Sequence, residues 1–501
     1  MPSPTQLRLA LALVLLALAP VVLWPGEVSW LMDEPRLLAA AWHANHDGQL
    51  ADGGLYGNFG IRYGPLPTQL YQALLLVTHD PRVLVVLRGL LCAGVTGGAL
   101  LWLARSLALP AWFAAALAVS PYLVHYQRVL WDASFCLPLG TLALAALADF
   151  LRTARRWPLR ICLGASAVLP LIHPMALALA VPILGWLGWR ERAALGRDRR
   201  ALAVLGAVLL ALHAQYLWHV PGQLTARLSG SVKKGYPRGG PRALSALAPL
   251  LGGRLLGGAD YLENLAPPGS QTAAQWGARL IYPLIWLGMT LGAWRVARAW
   301  RARENLSVRE RVTAVALAGL LCQALLCGLM RIPTQPQYYF GTFALHALMA
   351  WLAVEALGRW RAGALPGVLF GLSGAVLTVS AALAIHAHGF ENQRWPTLGN
   401  SVEVARELNR FTDATVKTDV ALLQRNPQIL RTLRLLLPPA RGEVQRASGR
   451  LTIHQSMYRD GKIQLAEWQI VDGQPYQPAP HSQALDVTPL PKDWFPPPDT
   501  W

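Results

Sequence analysis

Two adjacent carboxylates, Asp33 and Glu34, stand in a Met-Asp-Glu-Pro-Arg run directly after the first long apolar segment of this chain. Carboxylates near hydrocarbon are costly, so they usually have a partner or a task. The tasks open to an aspartate at a bilayer surface are to take a proton from a hydroxyl or to hold a cation. A second polar group follows at 128–132, where Arg128 and Asp132 lie in a short loop between apolar runs. Asp33, Glu34 and Asp132 are thus candidate catalytic residues. Arg128 is the candidate for holding a phosphate, because a guanidinium presents a planar fork to phosphate oxygens. His173 precedes a proline inside an apolar run, Lys233 and Lys234 lie in a Gly/Pro-rich loop, and Tyr338 and Tyr339 follow Gln335-Pro336-Gln337. These five are the further candidates for contacting an anionic ligand. Asp33 and Asp132 are also candidate ligands for a divalent metal, the one cofactor the sequence raises. Each residue has a plainer reading as well: a helix cap before Pro35 for Asp33, a first-turn residue for Glu34, an Arg128–Asp132 ion pair, a satisfied core imidazole, head-group-facing lysines and interfacial tyrosines.

Such scattered residues need a scaffold, and composition says which kind. Of the 501 residues 53% are hydrophobic and 14% charged, against roughly 25% charged in soluble domains. Apolar runs recur to about residue 386, as expected of a polytopic α-helical membrane protein. The net charge is +18, but the arginines fall in short clusters between apolar runs, which is an orientation signal and not a nucleic-acid surface. Cys92, Cys136, Cys162, Cys322 and Cys327 lie in apolar stretches without a CxxC spacing and read as core residues. The run Leu7–Trp24 reads as an uncleaved span, since Pro20 would directly follow the Ala17-Leu18-Ala19 cleavage site.

Spans are expected near residues 7–24, 83–104, 109–124, 135–151, 201–218, 278–297, 312–329, 340–357 and 365–386. The apolar stretch 161–189 is long for one span and short for two, and its His173-Pro174 pair predicts two short helices meeting at a break. With a cytoplasmic N-terminus, the arginine clusters at 152–160, 190–200, 298–311 and 359–361 then all fall inside. That count gives about eleven membrane segments and an outward C-terminus. It also puts the first loop (25–81), the 128–132 loop, His173, the long loop 219–277 and residues 335–339 on the outer side. Two stretches of the first loop, Pro35–His46 and Leu66–Val77, look amphipathic. The glycine-rich Asp52–Gly60 lacks the strand–helix context of a nucleotide loop. Residues 387–501 are expected to form a small α/β outer-face domain, with a helix at 402–411 and a hairpin at 450–471 turning on Arg459-Asp460-Gly461-Lys462.

The segment from Met32 through Ala41, followed by Tyr63-Gly64-Pro65-Leu66, resembles the first outer loop of GT-C glycosyltransferases. The nearest branch holds the protein O-mannosyltransferases and the lipid A aminoarabinose transferase. Ser120–Asp132 is similar to that family's second outer loop, and the resemblance spans roughly residues 5–360. It implies an inner-membrane enzyme that takes a sugar from a polyprenyl-phosphate carrier and passes it, with inversion, to a hydroxyl of a glycan, lipid or protein acceptor. It implies Asp33 as the base and Asp132 as a metal ligand. Where relatives often carry a histidine, this chain has Gln335 and Gln337. The partners implied are the lipid-linked donor, membrane lipid and the acceptor, with no nucleic acid. Two other readings compete: a transporter or flippase of lipid-linked glycans, which would place ionisable groups mid-span, and a non-catalytic envelope scaffold.

Overall fold

A computed structural model gives the architecture. It describes residues 22–28, 30, 33–55, 62–110, 120–228, 271–302, 304–330, 336–358, 450–459, 462–471 and 477–478, with a few single residues besides. Lys233, Lys234, Gln335, the expected spans at 7–24 and 365–386, and the expected helix at 402–411 lie wholly or largely outside the described residues.

The two amphipathic stretches of the first loop are helices α1 (Asp33–His46) and α2 (Leu66–Leu75). The acids Asp33 and Glu34 occupy the first turn of α1, where the helix dipole favours negative charge. Gln72 binds the two helices together. Its amide donates to the Asn45 side chain at 3.1 Å and to the Gln49 carbonyl at 2.8 Å, and its oxygen accepts from the Ala51 N–H at 2.9 Å. The chain then enters α3 (Pro81–Ser106), capped by Asp80, whose carboxylate accepts from the Arg82 N–H at 2.9 Å.

Helix α4 (Pro121–Tyr126) leads into the 127–132 loop, the second loop, and a 3-10 turn at Ala133–Phe135 starts α5 (Cys136–Thr153). Next, α6 (Arg156–Ile172) and α7 (Leu177–Arg190) meet at an extended His173, followed by a 3-10 turn at Pro174–Ala176. The break falls where the sequence placed it. Proline has no N–H to donate and pushes the residue before it out of the helical region, and the His173 ring fills the gap by accepting from the Met175 N–H at 3.3 Å. Then come α8 (Arg192–Arg197), α9 (Arg199–Leu228), α10 (Gln271–Arg301) and α11 (Val308–Met330). A 3-10 segment at Pro336–Thr342 opens α12 (Phe343–Leu357).

Among the described residues four helical stretches are long and apolar enough to cross a membrane: Pro81–Ser106, Ala133–Thr153, Val308–Cys327 and Gln337–Leu357. The pair Arg199–Ala211 and Tyr216–Gly222, bent by 72°, makes a fifth if counted as one span. The chain is a multi-pass helical membrane protein. The second and fourth of these stretches are its centre, each with 83% of its apolar window enclosed. Small residues allow the close approach there: a Cβ on Gly140 would stand 2.4 Å from the Gly341 carbonyl oxygen, and one on Gly288 1.7 Å from that of Met349.

At the opposite end from the first loop, Arg309 ties three elements together. It donates to the Leu107 carbonyl at 2.7 Å and the Ala108 carbonyl at 2.9 Å, and pairs with Glu355 at 2.8 Å. Near the C-terminus, strands β1 (Arg450–Arg459) and β2 (Lys462–Val471) pair antiparallel with Arg459 opposite Lys462, and β3 (Gln477–Pro478) pairs with β2.

Candidate active site

The first turn of α1, the body of α2, the N-terminal part of α3 and the 127–132 loop bring together a cluster of polar groups. Asp132 is buried at 4% exposure. Its Oδ1 accepts from the Ala133 N–H at 2.6 Å, capping the turn that starts α5. Its Oδ2 is buried with no hydrogen-bond partner among the described residues. The carboxyl is pushed up to about 8, first by burial and then by the Asp33 charge, with Glu34 adding a smaller push and the Ala133 N–H pulling the other way. Asp33 and Asp132 therefore stand in each other's field. Asp33 itself is raised by burial, while the Arg36 charge pulls it back.

Tyr71 of α2 closes this cluster from below. It is fully buried, and its hydroxyl has no partner among the described residues. Burial raises its phenol, Arg88 pulls it back, and Asp132 and Glu34 push it up. Arg88, 0% exposed, is the cation at this spot. It donates to the Tyr126 carbonyl at 3.2 Å, to the Gln127 carbonyl and to the Ser134 hydroxyl, and lies 4.9 Å over the Phe135 ring.

Arg128 is buried and donates to the Trp24 carbonyl, and burial, with the Arg128 charge adding to it, pushes the His125 imidazole well below its ordinary value. Arg128 thereby ties the second loop to the end of the first apolar run, while Arg36 acts on Asp33 and Arg88 on Tyr71.

A second group forms at the broken helix. The His173 ring packs between Tyr63, at 4.9 Å, and Tyr338, at 5.8 Å. Phe340, two residues after Tyr338, packs on Tyr126 at 4.8 Å and on Tyr122 at 5.8 Å. The first loop, the second loop, the helix break and the 336–342 segment are so joined through aromatic contacts. Tyr339 turns the other way, 6.0 Å from His346 inside α12. Of the candidate residues, Asp33, Glu34 and Asp132 come together, and His173 and Tyr338 come together. Arg128 and Tyr339 face other partners, and Lys233 and Lys234 lie outside the described residues.

Among the described residues no group of three or more His, Cys, Asp or Glu side chains is placed to hold a metal ion. The free Asp132 oxygen is a suitable donor, but the acids do not close into such a group, so we derive no step through a metal.

No family model matches this sequence, and no curated protein matches it. Solved structures do. ArnT from Cupriavidus metallidurans in the apo state aligns with a TM-score of 0.50 and 15% identity, over 86% of this chain and 84% of that one. The same protein bound to undecaprenyl phosphate aligns with a TM-score of 0.51 and 15% identity, over 86% and 85%. The chain has the ArnT fold. The expected architecture therefore holds at the level of the fold.

Arg88, Tyr71 and Tyr63 line these two clusters, and none was singled out as a site residue from the sequence. A signal existed for Arg88: it is the one charged residue inside the apolar run 83–104, and ionisable residues within a span default to a functional or structural task. Tyr71 gives no such signal, because an interfacial helix carries tyrosines for ordinary reasons.

Two expected results arise from this geometry. A Cβ on Gly64 would lie 1.9 Å from the Leu171 carbonyl oxygen, where backbone meets backbone and must give. Gly64→Ala is expected to lose about 1–3 kcal/mol, read as a lower melting temperature in detergent; a melting curve like that of wild type would mean that the first loop does not sit on the end of α6. The second result concerns pH. Asp132 stays protonated to about pH 8 in the fold, whereas an unfolded aspartate ionises near 3.8. The native state then holds the extra proton between these values, so this group's contribution is complete below pH 4 and is lost as pH rises to about 8. Asp132→Asn, which cannot ionise, is expected to flatten the fall in melting temperature between pH 5 and 9, and an unchanged slope would place the titration elsewhere.

Proposed function

We propose that this protein is an integral membrane glycosyltransferase that moves a sugar from a polyprenyl-phosphate carrier to a hydroxyl of an envelope acceptor. The observation that carries this reading is the buried Asp132 standing in the field of Asp33 within an ArnT-like fold. One of the ArnT structures sharing this fold holds undecaprenyl phosphate, which supports a carrier of that class here. In the proposed reaction Asp33 takes the acceptor hydroxyl's proton as that oxygen attacks the anomeric carbon. The carbon–oxygen bond to the carrier phosphate breaks, the phosphate leaves with the electron pair, and attack from the opposite face inverts the sugar. Asp132, kept neutral, leaves Asp33 as the ionised member of the pair. Arg36 and Arg88 offset the negative charge that gathers as the phosphate departs. His173, Tyr63 and Tyr338 form the aromatic wall on which the donor would rest.

The proposed topology has about eleven membrane segments, a cytoplasmic N-terminus, and residues 387–501 as an outer-face α/β unit of which the 450–471 hairpin is part. Positive-inside arginine clusters support that orientation. The test is transfer of radiolabelled sugar from a panel of polyprenyl-phosphate sugars by purified protein, with a native membrane extract as acceptor. Transfer from one donor names the substrate. Folded protein that transfers from none would return the weight to the transporter of lipid-linked glycans.

A further inference from the structure

We propose that a tryptophan–arginine ledge at the joined ends of α7 and α10 binds the head group of an anionic bilayer phospholipid. Helix α7 ends on Trp189-Arg190, and α10 ends on Trp300-Arg301. The Arg190 guanidinium lies 4.2 Å from the Trp189 ring centroid and 5.3 Å from that of Trp300, and the two rings are 6.0 Å apart and 29° from parallel. Further back on α10, Arg298 lies 5.5 Å over Trp294. Trp189, Trp294 and Trp300 are 59%, 57% and 53% exposed.

Two stacked, half-exposed indoles, with a third further back on α10, are costly against water and at home at the boundary of a bilayer, where an apolar ring meets a polar layer. They locate the ledge at head-group depth. A guanidinium stacked on rings has its faces covered and keeps its in-plane N–H groups for an acceptor, and phosphate oxygens fit that edge in a fork. Among the described residues Arg190 has ring contacts and no hydrogen-bond or carboxylate partner. The neighbouring acids are engaged: Glu191 faces Arg311 at 3.7 Å, and Glu310 accepts from the Ser307 N–H at 2.8 Å. With Arg190, Arg192, Arg298 and Arg301 exposed around it, the ledge favours a lipid of net negative charge over a zwitterion that bears the same phosphodiester. The inference rests on the multi-pass reading and is independent of sugar transfer.

Native mass spectrometry of the full chain in detergent, with phosphatidylglycerol, cardiolipin, phosphatidylcholine or undecaprenyl phosphate added singly, is the test. Phosphatidylglycerol and cardiolipin are expected to be retained about fivefold more than phosphatidylcholine, and both Arg190→Gln and Trp300→Leu to bring that ratio close to one. Both side chains are exposed, so the variants keep the fold, and a size-exclusion profile like that of wild type verifies this. Equal retention of charged and zwitterionic lipids, variants that leave the ratio unchanged, or a preferred retention of undecaprenyl phosphate that Arg190→Gln and Trp300→Leu abolish, would each overturn the proposal. Loss of sugar transfer in the assay of the preceding section would leave it standing.

Discussion

Asparagine at position 33 is expected to lower sugar transfer by about 10²–10⁴-fold, the range that a positioned general base contributes. The substitution keeps the shape of the side chain and removes the charge. It also removes the field that pushes Asp132 up, so Asp132 should become the stronger acid in the variant. Two readouts therefore move together: transfer falls at all pH values, and the alkaline loss of thermal stability assigned to Asp132 shifts to lower pH. Donor retention should persist, because the variant leaves Arg36, Arg88 and the His173 wall in place. Transfer that survives Asp33→Asn with an unchanged pH profile would keep the enzyme and dismiss Asp33 as its base. A fall in transfer accompanied by a fall in melting temperature would identify Asp33 as a structural residue of the α1 start.

The second large effect is on stability. Arg88→Met is expected to cost about 3 kcal/mol, because hydrogen bonds from a charged donor to buried groups are each worth about 1.5–3 kcal/mol and their loss strands the acceptors. The stranded groups are the Tyr126 and Gln127 carbonyls and the Ser134 hydroxyl. These flank the stretch that carries Arg128 and Asp132, so the second loop should become open to protease in the folded protein. Arg88→Lys is expected to recover only part of the loss, since an ammonium cannot span three acceptors as a guanidinium fork does. Thermal melting in detergent and limited proteolysis measure both effects. If Arg88→Met melts like wild type, the second loop is held by other contacts, and the placement of Asp132 does not depend on α3.

The multi-pass helical character was legible because the apolar signal recurs along the chain, and the break at His173-Pro174 follows from local backbone chemistry alone. The amphipathic helices α1 and α2 were legible from their periodicity. The acids proposed for the site stand out in the sequence and the cations proposed beside them do not. Asp33 and Asp132 lie in polar loops where charge stands out, whereas Arg88 is concealed in an apolar run whose mean hydropathy is barely affected by one residue. One partner of Arg128 is a backbone carbonyl 104 residues away at Trp24, and no local spacing encodes such a contact. The same holds for Tyr63, His173 and Tyr338, which three separate segments contribute to one stack.

The close seat of Gly140 on Gly341 has a consequence for how the protein is made. Helix α5 is the most enclosed of the early spans, yet the 336–357 segment that covers it is synthesised about 180 residues later. Until then its alanine-rich face, running from Ala143 to Ala148, must wait in the bilayer against lipid or an assembly factor. Lipid gives little drive for helices to associate, so small-residue faces join only when their matching surface arrives. Interrupted translation or a slow final insertion should therefore yield a chain with an intact outer loop and an unsealed centre, a species that membrane quality control would recognise by α5.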